Sequence, residues 1–153
     1  METKMSLEKW AEYGWIKAEP SSPEEIRGLI SIVTRALSDA NVQAISDDLR
    51  FQAAFSAGLT SANIALRASG YRTRVQAGHH QKIVESLELT LHADSKVIQK
   101  LKVFSKKRNA TAYDSAGSVS GQELEQAIKV AHELLNEVNA WLARTHPELI
   151  ENA

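Results

Sequence analysis

Residues 120–146, SGQELEQAIKVAHELLNEVNAWLARTH, decide how the chain folds. Leu124, Ile128, Ala131, Leu135, Val138 and Leu142 recur at alternating steps of four and three, the spacing of one stripe along an α-helix. Ser120 with Glu123 three positions on forms a capping-box pair at its start, and Pro147 ends it. The same grammar appears upstream. Ser22 is placed to cap a helix, Pro23 suits the first helical position, and Glu25 can reach back to complete a second capping box. Ile26, Ile30, Val33 and Leu37 then follow at helical steps.

Further helices are predicted over about 46–69, 79–91 and 94–108. The first of these contains FQAAFSAGLTSANIAL, residues 51–66, in which Ala54, Gly58 and Ala62 recur every four residues. Such a small-residue face lets another helix approach closely, in the same subunit or in a second one. The next two carry Ile83, Leu87 and Leu91, then Val97, Leu101 and Phe104. Asn109 is read as a helix terminator, and residues 70–78, GYRTRVQAG, as a basic connection without hydrophobic period. A short N-terminal helix, about 6–17, carries Trp10, Tyr13 and Trp15, which either mark a protein interface or cap the bundle. Almost no period-two alternation competes with these patterns. The expected fold is therefore all-α: an antiparallel up-and-down four-helix bundle with an extra short N-terminal helix, one domain over 1–153 with 1–20 as a helical extension.

A chain of 153 residues, 43% hydrophobic and 24% charged, has the composition of an ordinary globular protein able to bury its own core. It has no cysteine, so disulfides, thiolate metal sites and cysteine nucleophiles drop out. No apolar run approaches a membrane span and the N-terminus lacks a secretory apolar segment, which points to the cytoplasm. His79 and His80 are adjacent, no His-x-x-x-His pair occurs, and phosphate-loop, dinucleotide and nucleophile-elbow motifs are missing. No metal and no cofactor are expected.

The net charge of −1 hides an asymmetry. From Arg67 to Arg108 ten basic residues accompany three acids, a balance of +7, while the remainder carries −8. The basic third either meets phosphate groups or an acidic partner, or is paired by the acidic ends after folding. Within it, Arg108 lies three turns from Val97, about 20° away in direction on an ideal helix, so its guanidinium follows the apolar stripe and needs an anionic partner. The plain alternative is that Lys106, Lys107 and Arg108 complement the negative end of the helix dipole while Tyr113 plugs the bundle.

A basic helix ending in Arg108-Asn109 and followed by Tyr113 resembles the HEPN (higher eukaryotes and prokaryotes nucleotide-binding) domains. The runs Gly70-Tyr71-Arg72, Gly78-His79-His80 and Glu85-Ser86-Leu87 also resemble small stand-alone bacterial members, so the likeness extends from about Phe51 onward. The Arg108-Asn109 pair is its motif match. In RNA-cleaving members a histidine follows this arginine by four to six residues, and a symmetric dimer brings two such pairs into one cleft. Here Tyr113 stands in that place and the next histidine is His132. A tyrosine, with an ordinary pKa of about 10, is a poor general base near neutrality, where a histidine at about 6.5 serves well.

The resemblance therefore implies binding rather than catalysis. It describes a homodimer holding RNA or a nucleotide, within a toxin–antitoxin or defence-type module. The expected ligand-binding residues are Arg108, Asn109, Tyr113, Lys107, Arg72, Arg74, His79 and His80. Two alternatives stand beside it. One is an interaction module docking on a nucleotidyltransferase. The other is a metal-independent endoribonuclease in which His80 replaces the missing histidine and acts with Arg108.

Overall fold

The computed structural model describes residues 4–74, 78–113 and 119–150, without the side chains of 110–113. In chain order it contains α1 (Leu7–Glu12), β1 (Ile16–Ala18), α2 (Pro23–Ala40), α3 (Asp47–Ala68), β2 (Tyr71–Thr73), α4 (His79–Glu85), α5 (Leu87–Thr90), α6 (Ser95–Tyr113), α7 (Gly121–Thr145) and a closing 3-10 turn, Pro147–Leu149. The chain is mostly helical, as its periodicity predicts. It also holds a two-stranded antiparallel sheet that periodicity does not predict, with Ile16 opposite Thr73, Lys17 opposite Arg72 and Ala18 opposite Tyr71.

Helix α3 is the centre of the packing: α2 and α7 lie along it, with α6, α4 and α5 on a further side. Small residues explain how one helix serves so many neighbours. Ala54, Gly58 and Ala62 are all buried, and a Cβ on Gly58 would stand 3.1 Å from Cδ2 of Leu101 on α6. Phe51 meets Phe104 edge to face at 5.8 Å. Because Phe51 pairs with Phe104 while Gly58 pairs with Leu101, α3 and α6 run in opposite directions. Complete burial of side chains such as Phe51, Leu66 and Leu142 stabilises the fold by about 1.5–3 kcal/mol each.

The α7 stripe is wider than the sequence spacing suggests. Leu124, Ala131, Val138 and Leu142 are buried, Ile128 and Leu135 lie at its margin, and Ala127, Leu134 and Trp141 complete it. Its capping box forms as expected, Ser120 Oγ accepting the Glu123 amide at 3.1 Å and Glu123 accepting the Ser120 amide at 3.0 Å. At α2 only half of the motif forms. Ser22 Oγ accepts the Glu25 amide at 3.1 Å, but the Glu25 carboxylate is taken by the Ser21 hydroxyl and by Arg67.

Three boundaries differ from the sequence expectation. The helix predicted over 79–91 divides at Ser86, whose buried hydroxyl donates to the Ile83 carbonyl at 2.6 Å. Helix α6 runs through Asn109 to Tyr113, so Asn109 does not terminate it. The N-terminal helix ends at Glu12; Gly14, at φ +79°, turns the chain into β1, and the 1–20 extension is thus helix plus strand. Trp10 is buried and Trp15 half-buried, the capping arrangement, while Tyr13 is exposed.

Candidate functional site

One buried cation organises the edge of the molecule. Arg67, near the end of α3, is 4% exposed and all five of its N–H groups are engaged. Nε donates to Glu25 Oε2 at 3.1 Å and Nη2 to Glu25 Oε1 at 2.6 Å, a bidentate pair. Nη1 donates to the carbonyls of Glu19 and Tyr71 at 2.9 and 3.1 Å, and Nη2 also reaches the Pro20 carbonyl at 3.4 Å. These bonds tie α3 to the start of α2, to the segment after β1 and to β2. The guanidinium holds the Glu25 carboxyl below its ordinary pKa. Arg72, on β2, pairs with the Glu19 carboxylate at 2.5 Å.

Helix α4 begins after Gly78, whose φ of +82° suits glycine. Its first residues, His79 and His80, hold their rings 4.2 Å apart. The helix is anchored behind them by Lys82, whose ammonium lies 3.9 Å from the Trp15 ring centre and 5.3 Å from that of Trp10. Two clefts open on either side of His80. The first, about 310 Å³, runs between α4 and α6 and is lined by His80, Gln81, Lys102, Val103, Lys106 and Asn109. The second, about 430 Å³, lies against α3 and is lined by His79, His80, Arg72, Thr60, Asn63 and Arg67 with Glu25. His80 belongs to both.

Arg108 stands apart from Asn109. Ile98, Leu101 and Phe104 are the buried stripe of α6, and Val97 is only half-buried. Arg108 continues that stripe one turn past Phe104 and is itself half-buried, whereas Asn109 is turned about 100° from it, onto the exposed cleft face. Arg108 lines neither cleft, but its charge reaches His80. Burial is the main cause that pushes the His80 pKa below its ordinary value, with His79 second and Arg108 third. Among the described residues Arg108 has no salt-bridge partner.

The structure thus gathers His79, His80, Arg72 and Asn109 around two adjoining clefts, with Arg108 within electrostatic range. It turns Lys107 away, toward Glu123 of α7 at 3.4 Å. Arg74 is exposed past β2 and lines neither cleft. The side chain of Tyr113, and residues 75–77 of the basic connection, lie outside the described residues.

Sequence reasoning counted Lys102 and Lys106 only as charge and did not place them at the site, although Lys102, Lys106 and Asn109 recur at steps of four and three and so share one face of α6. It also left Thr60, Asn63 and Arg67 out of the site, a polar line at steps of three and four in the C-terminal half of α3. A larger open depression of about 1180 Å³, bordered by Lys4, Glu8, Glu88 and His92, lies elsewhere and includes none of the expected residues. Among the described residues no three His, Asp or Glu side chains converge on a metal-sized space, and no helix is long and apolar enough to cross a membrane. Comparison with known families, with curated proteins and with solved structures returns no match for this chain.

Proposed function

We propose that this chain is a HEPN-like protein that binds RNA or a nucleotide through the clefts flanking His80, on an antiparallel up-and-down bundle of α2, α3, α6 and α7. The observation that carries the reading is the convergence, at one edge, of His80, Lys102, Lys106 and Asn109 in a single cleft, with Arg108 within electrostatic range of His80. Lys102 is held loosely by Glu85 at 3.9 Å, while Lys106 is exposed, so the cleft keeps cationic character. A phosphate there meets flexible ammonium donors and an amide, the donor types that hold a nucleic-acid backbone. The family resemblance adds the setting: a cytoplasmic homodimer in a toxin–antitoxin or defence-type module, alone or beside a nucleotidyltransferase partner.

The test is binding of a short labelled single-stranded RNA across a salt series. The logarithm of affinity should fall against log salt by about 0.7 per neutralised phosphate, and Lys106→Ala should reduce the slope by about that amount. Arg108→Ala should weaken binding without unfolding the protein. Binding that is absent or insensitive to salt overturns the reading in favour of a protein-docking module.

The lowered pKa of His80, caused first by burial and then by His79 and Arg108, favours a second reading, a metal-independent endoribonuclease. A histidine held below its ordinary pKa keeps its base form at neutral pH. That activity would appear as RNA cleavage in the presence of chelator, lost in both Arg108→Ala and His80→Ala. Cleavage retained in either variant removes it.

A further inference from the structure

The two clefts differ in kind. The one between α4 and α6 has ammonium groups suited to phosphate. The one against α3 sets Leu29, Leu59 and Ile83 beside Thr60, Asn63, Arg72 and the two histidines, a mixed lining without ammonium groups. Its charged residues are already committed, Arg67 to Glu25 with every Arg67 donor used, and Arg72 to the Glu19 carboxylate. Asn63 is not committed in this way. It is half-buried on the central helix, and among the described residues its amide has no hydrogen-bond partner; nor does the Thr60 hydroxyl, one turn before it. A half-buried amide whose donors and acceptor are unused within the chain can pair with a flat molecule that carries its own donors and acceptors.

Resting on the RNA-binding reading above, we infer that this second cleft is a nucleobase pocket: a base enters between Leu59 and Ile83, its polar edge meets the amide of Asn63, and the adjoining phosphate lies across His80 in the cationic cleft. An asparagine amide presents donor and acceptor together, the complement of a base edge that carries both, as adenine's does. The volume of about 430 Å³ accommodates one nucleoside. The ligand class is then a strand with at least one base and a flanking phosphate, read by two clefts with separate tasks.

The tasks separate in one experiment. Affinity is measured for the short single-stranded RNA and for the same strand made abasic, each over a salt series. The wild type should prefer the intact strand by roughly 5- to 100-fold, the range expected of one well-made base contact. Asn63→Ala should erase most of that preference while leaving the salt slope unchanged, and Lys106→Ala should do the reverse. Asn63→Leu, with the same side-chain branching and heavy-atom count but no polar atom, repeats the test for a variant whose folding is checked by its thermal melt. Equal affinity of the wild type for intact and abasic strands, or an undiminished preference in both Asn63 variants, overturns the base pocket while RNA binding stands. Absence of any RNA binding by the wild type overturns both readings.

Discussion

Helix α3 presents two unlike faces. Toward α2, α7 and α6 it offers Phe51, Ala54, Phe55, Gly58 and Ala62, a sealed surface in which small residues bring neighbouring helices close. Toward α4 and β2 it offers Thr60, Asn63 and Arg67, three polar residues on one line. The second face itself divides: Arg67 is saturated by partners within the chain, and Asn63 is not. A buried polar group with all its bonds made serves the fold, and one left open on a cleft is available to a ligand. Changes to the sealed face and to Arg67 should lower stability and spare affinity per folded molecule, whereas changes at the open positions should lower affinity and spare stability.

The largest effect belongs to the sealed face. Phe51→Ala empties a fully buried ring site against Phe104 and should cost about 3–5 kcal/mol in a denaturant melt. Next comes the tie. Glu25→Ala leaves the Arg67 guanidinium buried with little more than carbonyls and the Glu19 carboxylate at 3.5 Å, at a cost of about 3 kcal/mol, the low end for a broken buried pair because Glu25 is partly solvated. The pH dependence carries the same information. Since Glu25 sits below its ordinary value of 4.5 in the folded state, its contribution is present above that pH and is lost as pH falls through the folded pKa. Glu25→Gln should flatten that part of the acid limb of the stability curve. Either variant losing RNA affinity without losing stability would break the comparison.

Gly58 tests the closeness of the sealed face at smaller scale. Gly58→Val should destabilise by about 1–3 kcal/mol through crowding of Leu101. Gly58→Ala should change stability by less than about 1 kcal/mol, because better helix propensity offsets a contact that Leu101 Cδ2 must relieve by a few tenths of an ångström. A Gly58→Val protein as stable as the wild type would show that α6 is looser against α3 than 3.1 Å implies.

What the sequence made legible follows from the range of the forces involved. The α7 period and the Ser120–Glu123 box rest on contacts within one or two turns, and both stand in the structure. The β1–β2 pair was illegible because strands of three residues have no period, and their partners lie more than fifty residues apart. The Glu25 box was misread because a local rule competes with a distant one, and a bidentate guanidinium outbids a single backbone amide. Of the basic third, Arg67, Arg72 and Lys107 are paired by acids from the rest of the chain, while Lys106 and Asn109 line a cleft with His80. Asn109 reads as a helix terminator, but α6 continues through it, so Arg108 and Asn109 face different ways as neighbours on a helix do. Thr60, Asn63 and Arg67 were spaced legibly, but the small residues around them made the helix read as packing surface alone.

The smallest effect is the most local test of the open edge. His80 is pushed down by burial first, then by His79 and Arg108, so its neutral form is favoured in the folded protein. The sign follows: this contribution to stability is complete above the ordinary value of 6.5 and is lost as pH falls through the folded pKa. RNA affinity should move oppositely, rising as protonation adds a positive charge beside the phosphate. Arg108→Ala removes the third cause alone. It should shift the His80 titration upward in an NMR pH series, change stability by less than about 0.5 kcal/mol, and move the rise in RNA affinity to higher pH in step. A His80 titration indifferent to Arg108 would mean that the guanidinium lies beyond electrostatic reach of both clefts, leaving Lys102 and Lys106 as the cations that any phosphate there must meet.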